Sequence, residues 1–148
     1  MILFIRHGES TSNNGENDCV DAPLSDLGIK QSQSINFEKY NIDCVICSPL
    51  CRTYSTYQYS SINKNIEFKI SELCRERIFA ERDIMNGEKL EIETDEQFWI
   101  RISKFRDYIN ILQKKYKTII IFGHSYFFSV WNGGRNMQNC EIRHITQF

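Results

Sequence analysis

Three short apolar runs, each followed at once by polar residues, constrain the fold of this chain more than any other feature. The runs cover residues 1–5, 43–47 and 118–122, and only Asp43 and Thr118, at their starts, are polar. Runs this short and this apolar are typical of strands that are buried on both faces of a parallel sheet. Segments with helical signals alternate with them. This alternation predicts an α/β fold, a three-layer sandwich whose mostly parallel central sheet is flanked by helices.

Capping and periodicity signals predict the other elements. Helices are expected at about 25–40 (capped by Ser25 or Asp26), 48–62, 94–116 and 126–131, and strands at 66–70 and 141–146, the last at a sheet edge. Ser48 is the expected N-cap of the second helix, with Pro49 at its first position. Thr94 and Gln97 form a capping-box pattern for the third. Residues 71–93 are charged and aperiodic, which indicates a long loop, and long loops often carry function.

Length and charge narrow the class of protein. A chain of 148 residues is expected to form a single domain, residues 1–148. A net charge of −1 argues against a nucleic-acid binder, which would carry a strong basic excess. No apolar segment approaches the roughly 20 residues that span a bilayer, and the N-terminus lacks the pattern of a secretory signal. We therefore expect a cytoplasmic protein that binds neither nucleic acid nor membrane.

Six cysteines raise the question of a disulfide framework or a metal site. Without a secretory signal, free thiols in a reducing compartment are the expected state. Cys44, Cys47 and Cys51 are closely spaced. However, residues three apart in a strand point to opposite faces, so Cys44 and Cys47 would chelate a metal poorly. We expect them to be buried as small apolar side chains and predict no metal site.

Polar clusters follow three of the predicted strands. Arg6-His7-Gly8 follows the first run, residues 48–52 follow the second, and Gly123-His124-Ser125 follows the run at 118–122. In open α/β sheets ligands bind at the carboxyl ends of the strands, so these clusters are expected to meet. Arginine offers planar donors to phosphate oxygens, and neutral histidine is a nucleophile near pH 7. The clusters predict an anion site beside a nucleophile.

With these motifs in this order, the chain resembles the histidine phosphatase superfamily, which includes the phosphoglycerate mutase-like enzymes. The resemblance rests on five segments: Arg6-His7-Gly8-Glu9-Ser10-Thr11-Ser12-Asn13, residues 21–28 with Gln31, Ser48-Pro49-Leu50-Cys51-Arg52-Thr53 with Thr56, Gly123-His124-Ser125, and Asn139-Cys140-Glu141-Ile142. It spans essentially the whole chain. The chemistry that it implies is phosphoryl transfer.

The resemblance implies roles for six residues. These are catalytic His7, Glu76 and His124, and substrate-binding Arg6, Asn13 and Arg52. His7 would attack phosphorus and form a phosphohistidine that water then hydrolyses. The arginines and a protonated His124 would stabilise charge in the transition state, so neither a metal nor another cofactor is expected. His144, in the last strand, is expected to be structural or exposed.

The general acid has more than one candidate. In the family that this chain resembles, the glutamate that acts as general acid lies in a leucine-rich stretch after the third strand. Residues 73–77 match that context best. Glu76 is therefore the expected acid, with Glu72 and Glu81 as nearby alternatives. A positioned acid is typically worth about 10²–10⁴-fold in rate.

The resemblance implies a phosphatase that hydrolyses phosphomonoesters, either a phosphorylated small molecule or a phosphoprotein. A cofactor-dependent mutase is an alternative, against which the shortness of the chain argues. An inactive phosphate- or phosphoprotein-binding module is another, against which the two histidines and two arginines argue. Two departures concern the substrate pocket: residues 126–128 are bulky, and the segment between Ser125 and Asn139 is short. The sequence contains no indication of the oligomeric state.

Overall fold

A computed structural model describes residues 1–146 and 148, and a five-stranded sheet forms its centre. The strands are β1 (Ile2–Arg6), β2 (Cys44–Cys47), β3 (Glu67–Ile70), β4 (Ile119–Gly123) and β5 (Ile142–Ile145). Their order across the sheet is β3-β2-β4-β1-β5. All neighbours pair in parallel except β1 and β5, which are antiparallel. The predicted mostly parallel sheet, with the last strand at its edge, is confirmed.

Four α-helices and two 3₁₀ turns occupy the described connections. They are α1 (Asp26–Gln33), α2 (Cys51–Tyr59), α3 (Asp95–Leu112) and α4 (Ser125–Ser129), with 3₁₀ turns at Glu72–Cys74 and Glu81–Asp83. The capping box of Thr94 and Gln97 starts α3 as predicted. Ser25 is the N-cap of α1, and its hydroxyl accepts the N–H of Gly28.

Two helices begin or end where the sequence did not predict. The expected end of α1 near Tyr40 is wrong, because Ser34 donates its hydroxyl back to the carbonyl of Lys30. The side chain of Asn36 then forms a turn that competes with the helix. The expected N-cap of α2 at Ser48 is also wrong. The helix begins at Cys51, whose N–H donates to a carboxylate far away in the sequence, that of Asp21, at 2.7 Å.

Helices cover both faces of the sheet. On one face, α3 and α4 pack their apolar side chains against alternate residues of β1, β2 and β4. On the other, α2 and the segment after α1 cover the remaining strand residues. Cys44 lies in the first cluster and Cys47 in the second, as predicted from strand alternation. This confirms the three-layer α/β sandwich.

The three predicted polar clusters lie at one edge of this sheet. Since β2, β4 and β1 are parallel neighbours, their carboxyl ends lie side by side. Arg6 pairs with Gly123 across β1 and β4, and Cys47 pairs with Phe122 across β2 and β4. The residues that follow each strand therefore meet, at the edge where open α/β sheets bind ligands.

Candidate active site

A cavity of about 130 Å³ opens at these carboxyl ends. It is lined by Arg6, His7, Ser10, Asn13, Arg52, Glu76, Phe79, Arg82, Asp83, Ser125 and Tyr126. Five of the six predicted site residues are therefore brought together around one space. The sixth, His124, is fully buried beside it, with its ring centroid 5.3 Å from that of His7.

His7 is held so that one particular ring nitrogen remains available. Its backbone N–H donates to the carbonyl of Gly123 at 3.1 Å, and its carbonyl accepts the side-chain amide of Asn139 at 2.9 Å. Its Nδ1 lies 2.6 Å from the carbonyl oxygen of Gly8. Because a carbonyl only accepts, Nδ1 carries the proton and Nε2 keeps its lone pair. Burial, and then the charge of Arg52, lower the pKa of His7 well below its usual value, so the ring is neutral at pH 7.

Two glycines fix the peptide that orients His7. A Cβ at Gly8 would lie 2.5 Å from the carbonyl oxygen of Gly28, and a Cβ at Gly28 would lie 2.0 Å from that of Glu9. Only residues without a side chain permit so close an approach between α1 and the loop after β1. The N–H of Gly8 also donates to Thr56 Oγ1 on α2 at 2.9 Å. The carbonyl of Gly8 that holds the His7 ring is thereby anchored from two helices.

His124 is held in the opposite way. Its Nε2 contacts the hydroxyls of Ser48 at 2.8 Å and Thr53 at 3.1 Å, whereas its Nδ1 is buried and has no hydrogen-bond partner in the described part of the chain. Burial, and then the charge of Arg52, lower its pKa well below the usual value. The lowered pKa favours a neutral His124, whereas the resemblance implies a protonated ring around the phosphoryl group. A neutral ring that accepts a hydroxyl proton at Nε2 still donates from Nδ1.

Arg6 and Arg52 bring two guanidinium groups to the cavity. Arg6 Nη1 donates to the carbonyl of Met137 at 2.6 Å, and its buried Nε has no protein partner among the described residues. Asn13 also lines the cavity, and its Oδ1 accepts the N–H of Ser10 at 3.1 Å. These groups can donate several hydrogen bonds to an anion in the cavity, the arginines with charge assistance.

Glu76 reaches the cavity, whereas its two alternatives do not. Glu72 is exposed and pairs with Arg75 at 3.1 Å, and Glu81 is exposed on the second 3₁₀ turn. Neither is among the residues that line the cavity. The structure therefore favours Glu76 of the three candidates.

The groups around Glu76 have opposing effects on the pKa of its carboxyl group. Its Oε1 accepts the N–H groups of Arg77 at 3.0 Å and Phe127 at 2.9 Å, and its Oε2 has a longer bond of 3.3 Å from Tyr126. These bonds and Arg52 favour the carboxylate, but burial is the larger effect and raises the pKa of Glu76 above its usual value. Oε2, the less engaged oxygen, is the better placed to carry a proton.

Arg101 on α3 holds the backbone that carries Glu76. Its guanidinium donates to the carbonyls of Leu73 at 3.0 Å and Arg75 at 2.9 Å, and it pairs with Glu93 at 2.6 Å. The acid candidate is therefore positioned by a helix on the far side of the loop.

The described residues contain no group of three or more His, Cys, Asp or Glu side chains that could hold a metal ion. Within the same residues, no helix combines the length and apolar character that crossing a membrane requires.

Comparison with known proteins agrees with this geometry. The family model of the histidine phosphatase superfamily (branch 1) matches residues 2–108. The chain belongs to this superfamily. The match includes His7, Arg52 and Glu76, while His124 lies beyond it and is brought to the site by the pairing of β4 with β1.

Solved structures of the same fold include three phosphatases. The α-ribazole phosphatase of Shigella flexneri is 21% identical over 86% of this chain and 75% of its own, with a TM-score of 0.72. The mycobacterial glucosyl-3-phosphoglycerate phosphatase is 14% identical over 95% and 88%, with a TM-score of 0.73. A phosphoserine phosphatase mutant of Entamoeba histolytica, in complex with phosphoserine, is 19% identical over 99% and 95%, with a TM-score of 0.71. These identities show a shared fold. A search of curated proteins found no match.

Several residues of the site were missed from the sequence. Asp83 and Arg82 lie in the aperiodic loop, where only the need of a buried arginine for a counter-ion could have pointed to them. From the sequence, Ser48 is expected to cap a helix, and Thr53 is only a member of the motif that contains Arg52. Their contact with His124 depends on how β2 and β4 pair.

Proposed function

We propose that this chain is a phosphatase that hydrolyses phosphomonoesters through a phosphohistidine intermediate on His7. The observation that carries the proposal is the state of His7, a neutral ring in a cavity with two arginines, whose Nδ1 is held by Gly8. This arrangement leaves Nε2 as a nucleophile where a phosphoryl group would be attracted.

In the first step, Nε2 of His7 attacks phosphorus while the bond from phosphorus to the leaving oxygen breaks. Glu76 donates its proton to that oxygen, so the alcohol leaves neutral. Arg6, Arg52 and the Nδ1–H of His124 surround the three remaining oxygens and stabilise the charge that spreads over them. The unpartnered Nε of Arg6 and Nδ1 of His124 support this role, because buried donors are normally satisfied.

In the second step, Glu76 is a carboxylate and removes a proton from water. The resulting oxygen nucleophile attacks phosphorus, the bond from phosphorus to Nε2 breaks, and its electron pair returns to His7. Inorganic phosphate leaves, and Glu76 is protonated for another turnover. In both steps, the cationic side chains of Arg6 and Arg52 stabilise the negative charge on the phosphoryl oxygens.

The substrate that we propose is a phosphorylated small molecule, with a phosphoprotein side chain as the alternative. The three similar structures are an α-ribazole phosphatase, a glucosyl-3-phosphoglycerate phosphatase and a phosphoserine phosphatase, which supports a small-molecule substrate. Tyr126 and Phe79, whose rings are in edge contact with centroids 5.0 Å apart, narrow the cavity. We propose that they limit the leaving group to one that is slender near the ester oxygen.

We also propose that residues 1–148 act as one domain in the cytoplasm. All six cysteines are free, which supports a reducing compartment.

A leaving-group series tests the proposed reaction. Wild type, Glu76→Gln, Glu72→Gln and Glu81→Gln would be compared on an alkyl phosphate and on 4-nitrophenyl phosphate. Because the alkoxide needs a proton and the nitrophenolate does not, Glu76→Gln should slow the alkyl substrate by about 10²–10⁴-fold and the aryl substrate much less. The other two variants are matched controls and should retain wild-type rates. Equal slowing of both substrates by Glu76→Gln would show that Glu76 is not the general acid.

The same series separates the alternative functions. A mutase would pass the phosphoryl group to a second hydroxyl compound faster than to water. A binding module would bind inorganic phosphate without turnover of either substrate. Release of phosphate to water by wild type is the result that we expect.

A further inference from the structure

The carboxylate of Asp83, in the second 3₁₀ turn, lies directly on the phosphate-binding arginine. Its Oδ1 is 3.0 Å from Nη2 of Arg52, and the two side chains are only 2% and 5% exposed. Its Oδ2 accepts the backbone N–H groups of Phe79 at 3.2 Å and Ala80 at 3.3 Å. The carboxylate thus joins Arg52 to the backbone of its own turn, and it does so at the wall of the cavity.

A second bond from the same turn completes the contact. Nη1 of Arg52 donates to the carbonyl of Arg82 at 2.6 Å. The turn therefore engages both terminal nitrogens of the guanidinium. A guanidinium has five N–H donors in a rigid plane, so two bonds on one edge leave the donors of the other edge for a ligand. Arg52 itself lines the cavity.

We propose that Asp83 is a positioning residue of the phosphate site, which fixes one edge of the Arg52 guanidinium and places a negative charge at the wall of the cavity that Glu76 also lines. This inference rests on the proposed phosphatase function and adds to it a residue that does not touch the reacting atoms. Asp83 acts through two groups that do.

The first effect concerns the geometry of phosphate binding. An arginine side chain loses considerable rotamer freedom when it is ordered. The bonds from Asp83 and Arg82 order it before substrate arrives, so that less freedom is lost when phosphate binds. Bidentate binding of a phosphoryl group also requires that the guanidinium plane has the right orientation. A fixed Arg52 therefore favours both affinity and transition-state stabilisation.

The second effect concerns the protonation of Glu76. The charged groups around Glu76 are Arg6 from β1, Arg52 from α2, Arg101 from α3, which approaches its backbone carbonyl, and Asp83. Burial raises the pKa of Glu76 most, Arg52 lowers it, and Asp83 raises it further. Asp83 therefore opposes part of the effect of Arg52 on the protonation of Glu76.

The effect on Glu76 can be measured without substrate. The carboxyl carbon of Glu76 would be titrated by ¹³C NMR in wild type, Asp83→Asn, Asp83→Glu and Glu81→Gln, the last being an exposed acidic residue of the same turn. We expect Asp83→Asn to lower the pKa of Glu76 by about one unit and the other two variants to leave it unchanged. An unchanged value in folded Asp83→Asn would overturn the electrostatic part of the proposal.

The effect on Arg52 is measured by the binding of inorganic phosphate. Calorimetry should give an affinity about tenfold weaker in Asp83→Asn, and weaker also in Asp83→Glu, whose carboxylate is displaced by one methylene. Tighter binding in Asp83→Asn would show that Asp83 only competes with phosphate and would overturn the positioning role. If Asp83→Asn does not fold, Asp83→Glu decides, since wild-type affinity in that variant would equally overturn it.

Turnover adds a readout that a structural role would not affect. In Asp83→Asn, the alkaline limb of kcat on an alkyl phosphate should move to lower pH by the same amount as the pKa of Glu76, whereas Asp83→Glu should keep the limb in place. If wild type does not turn over any phosphomonoester, the proposed function fails, yet the titration and the calorimetry still test Asp83.

Discussion

The ends of β1 and β4 are the two regions of this molecule that are most instructive to compare. Both are buried parallel strands, they are hydrogen-bonded neighbours, and each is followed by a histidine. Burial and nearby arginine charge lower the pKa of both histidines. The difference lies in which ring nitrogen the protein occupies.

At the end of β1 a backbone carbonyl holds Nδ1 of His7, and at the end of β4 two hydroxyls hold Nε2 of His124. A carbonyl can only accept, so it leaves a lone pair on the other nitrogen. A hydroxyl can also donate, and when it donates to Nε2 the proton of a neutral ring is on Nδ1. We propose that the same residue type, in equivalent positions on adjacent strands, thereby acts as a nucleophile in one case and as a donor in the other.

Removal of the proposed nucleophile should have the largest effect. We expect His7→Ala to lower kcat by at least about 10⁴-fold and to abolish the phosphoenzyme, because no other group can form the bond to phosphorus. Rapid-quench assays with a ³²P-labelled substrate would measure both. His144→Ala is the matched control, since His144 is exposed in β5 and should be dispensable. Wild-type turnover by His7→Ala would end the proposed mechanism.

Removal of the proposed donor should have a smaller effect of a different kind. We expect His124→Ala to lower kcat by about 10²–10³-fold, the usual cost of losing one donor to developing charge. The phosphoenzyme should still form, only more slowly, and single-turnover labelling would detect it. Complete absence of labelling would mean that the two histidines do not differ in the way their hydrogen bonds indicate.

Both histidines should make the fold sensitive to acid. Their pKa values are lowered in the folded state, so the unfolded chain binds more protons as the pH falls through about 6.5. The free energy of unfolding should therefore decrease with falling pH, by up to about 1.4 kcal/mol per pH unit for each histidine. Urea titrations between pH 7.5 and 5.5 would measure this slope. It should be shallower in His124→Gln and unchanged in His144→Gln, and equal slopes in all three would contradict the assignment.

The smallest effect is expected at the hydroxyls that orient His124. Ser48→Ala removes the shorter of the two hydroxyl contacts to Nε2, at 2.8 Å, and a hydrogen bond of this kind is worth about 1 kcal/mol. We expect kcat to fall by about fivefold and the fall to be absent in a His124→Ala background. Ser55→Ala, a serine of α2 without a bond to His124, should match wild type. If the losses of kcat were additive in the double variant, Ser48 would not act through His124.

Most of the fold could be predicted because its signals are local. The apolar runs give buried strands, and the box of Thr94 and Gln97 starts α3 where it was expected. The errors arose where a local signal was used elsewhere in the structure. Ser48 looks like a helix cap, but it bonds to His124, and the carboxylate of Asp21 receives the N–H of Cys51 instead.

The sequence by itself determined that three buried strands would end in polar clusters and that His7, His124 and the two arginines would lie together. This follows from the period of side chains in strands and from the short reach between a strand and the residue after it. Only the tertiary structure decided which nitrogen of each histidine is free, which glutamate reaches the cavity, and that Asp83 pairs with Arg52. The bonds that hold His124, Glu76 and Arg52 join segments distant in the sequence, and the carbonyl of Gly8 that holds His7 is itself oriented by contacts with α1 and α2. Such contacts are set by how the strands pair and by the conformation of the loops between them.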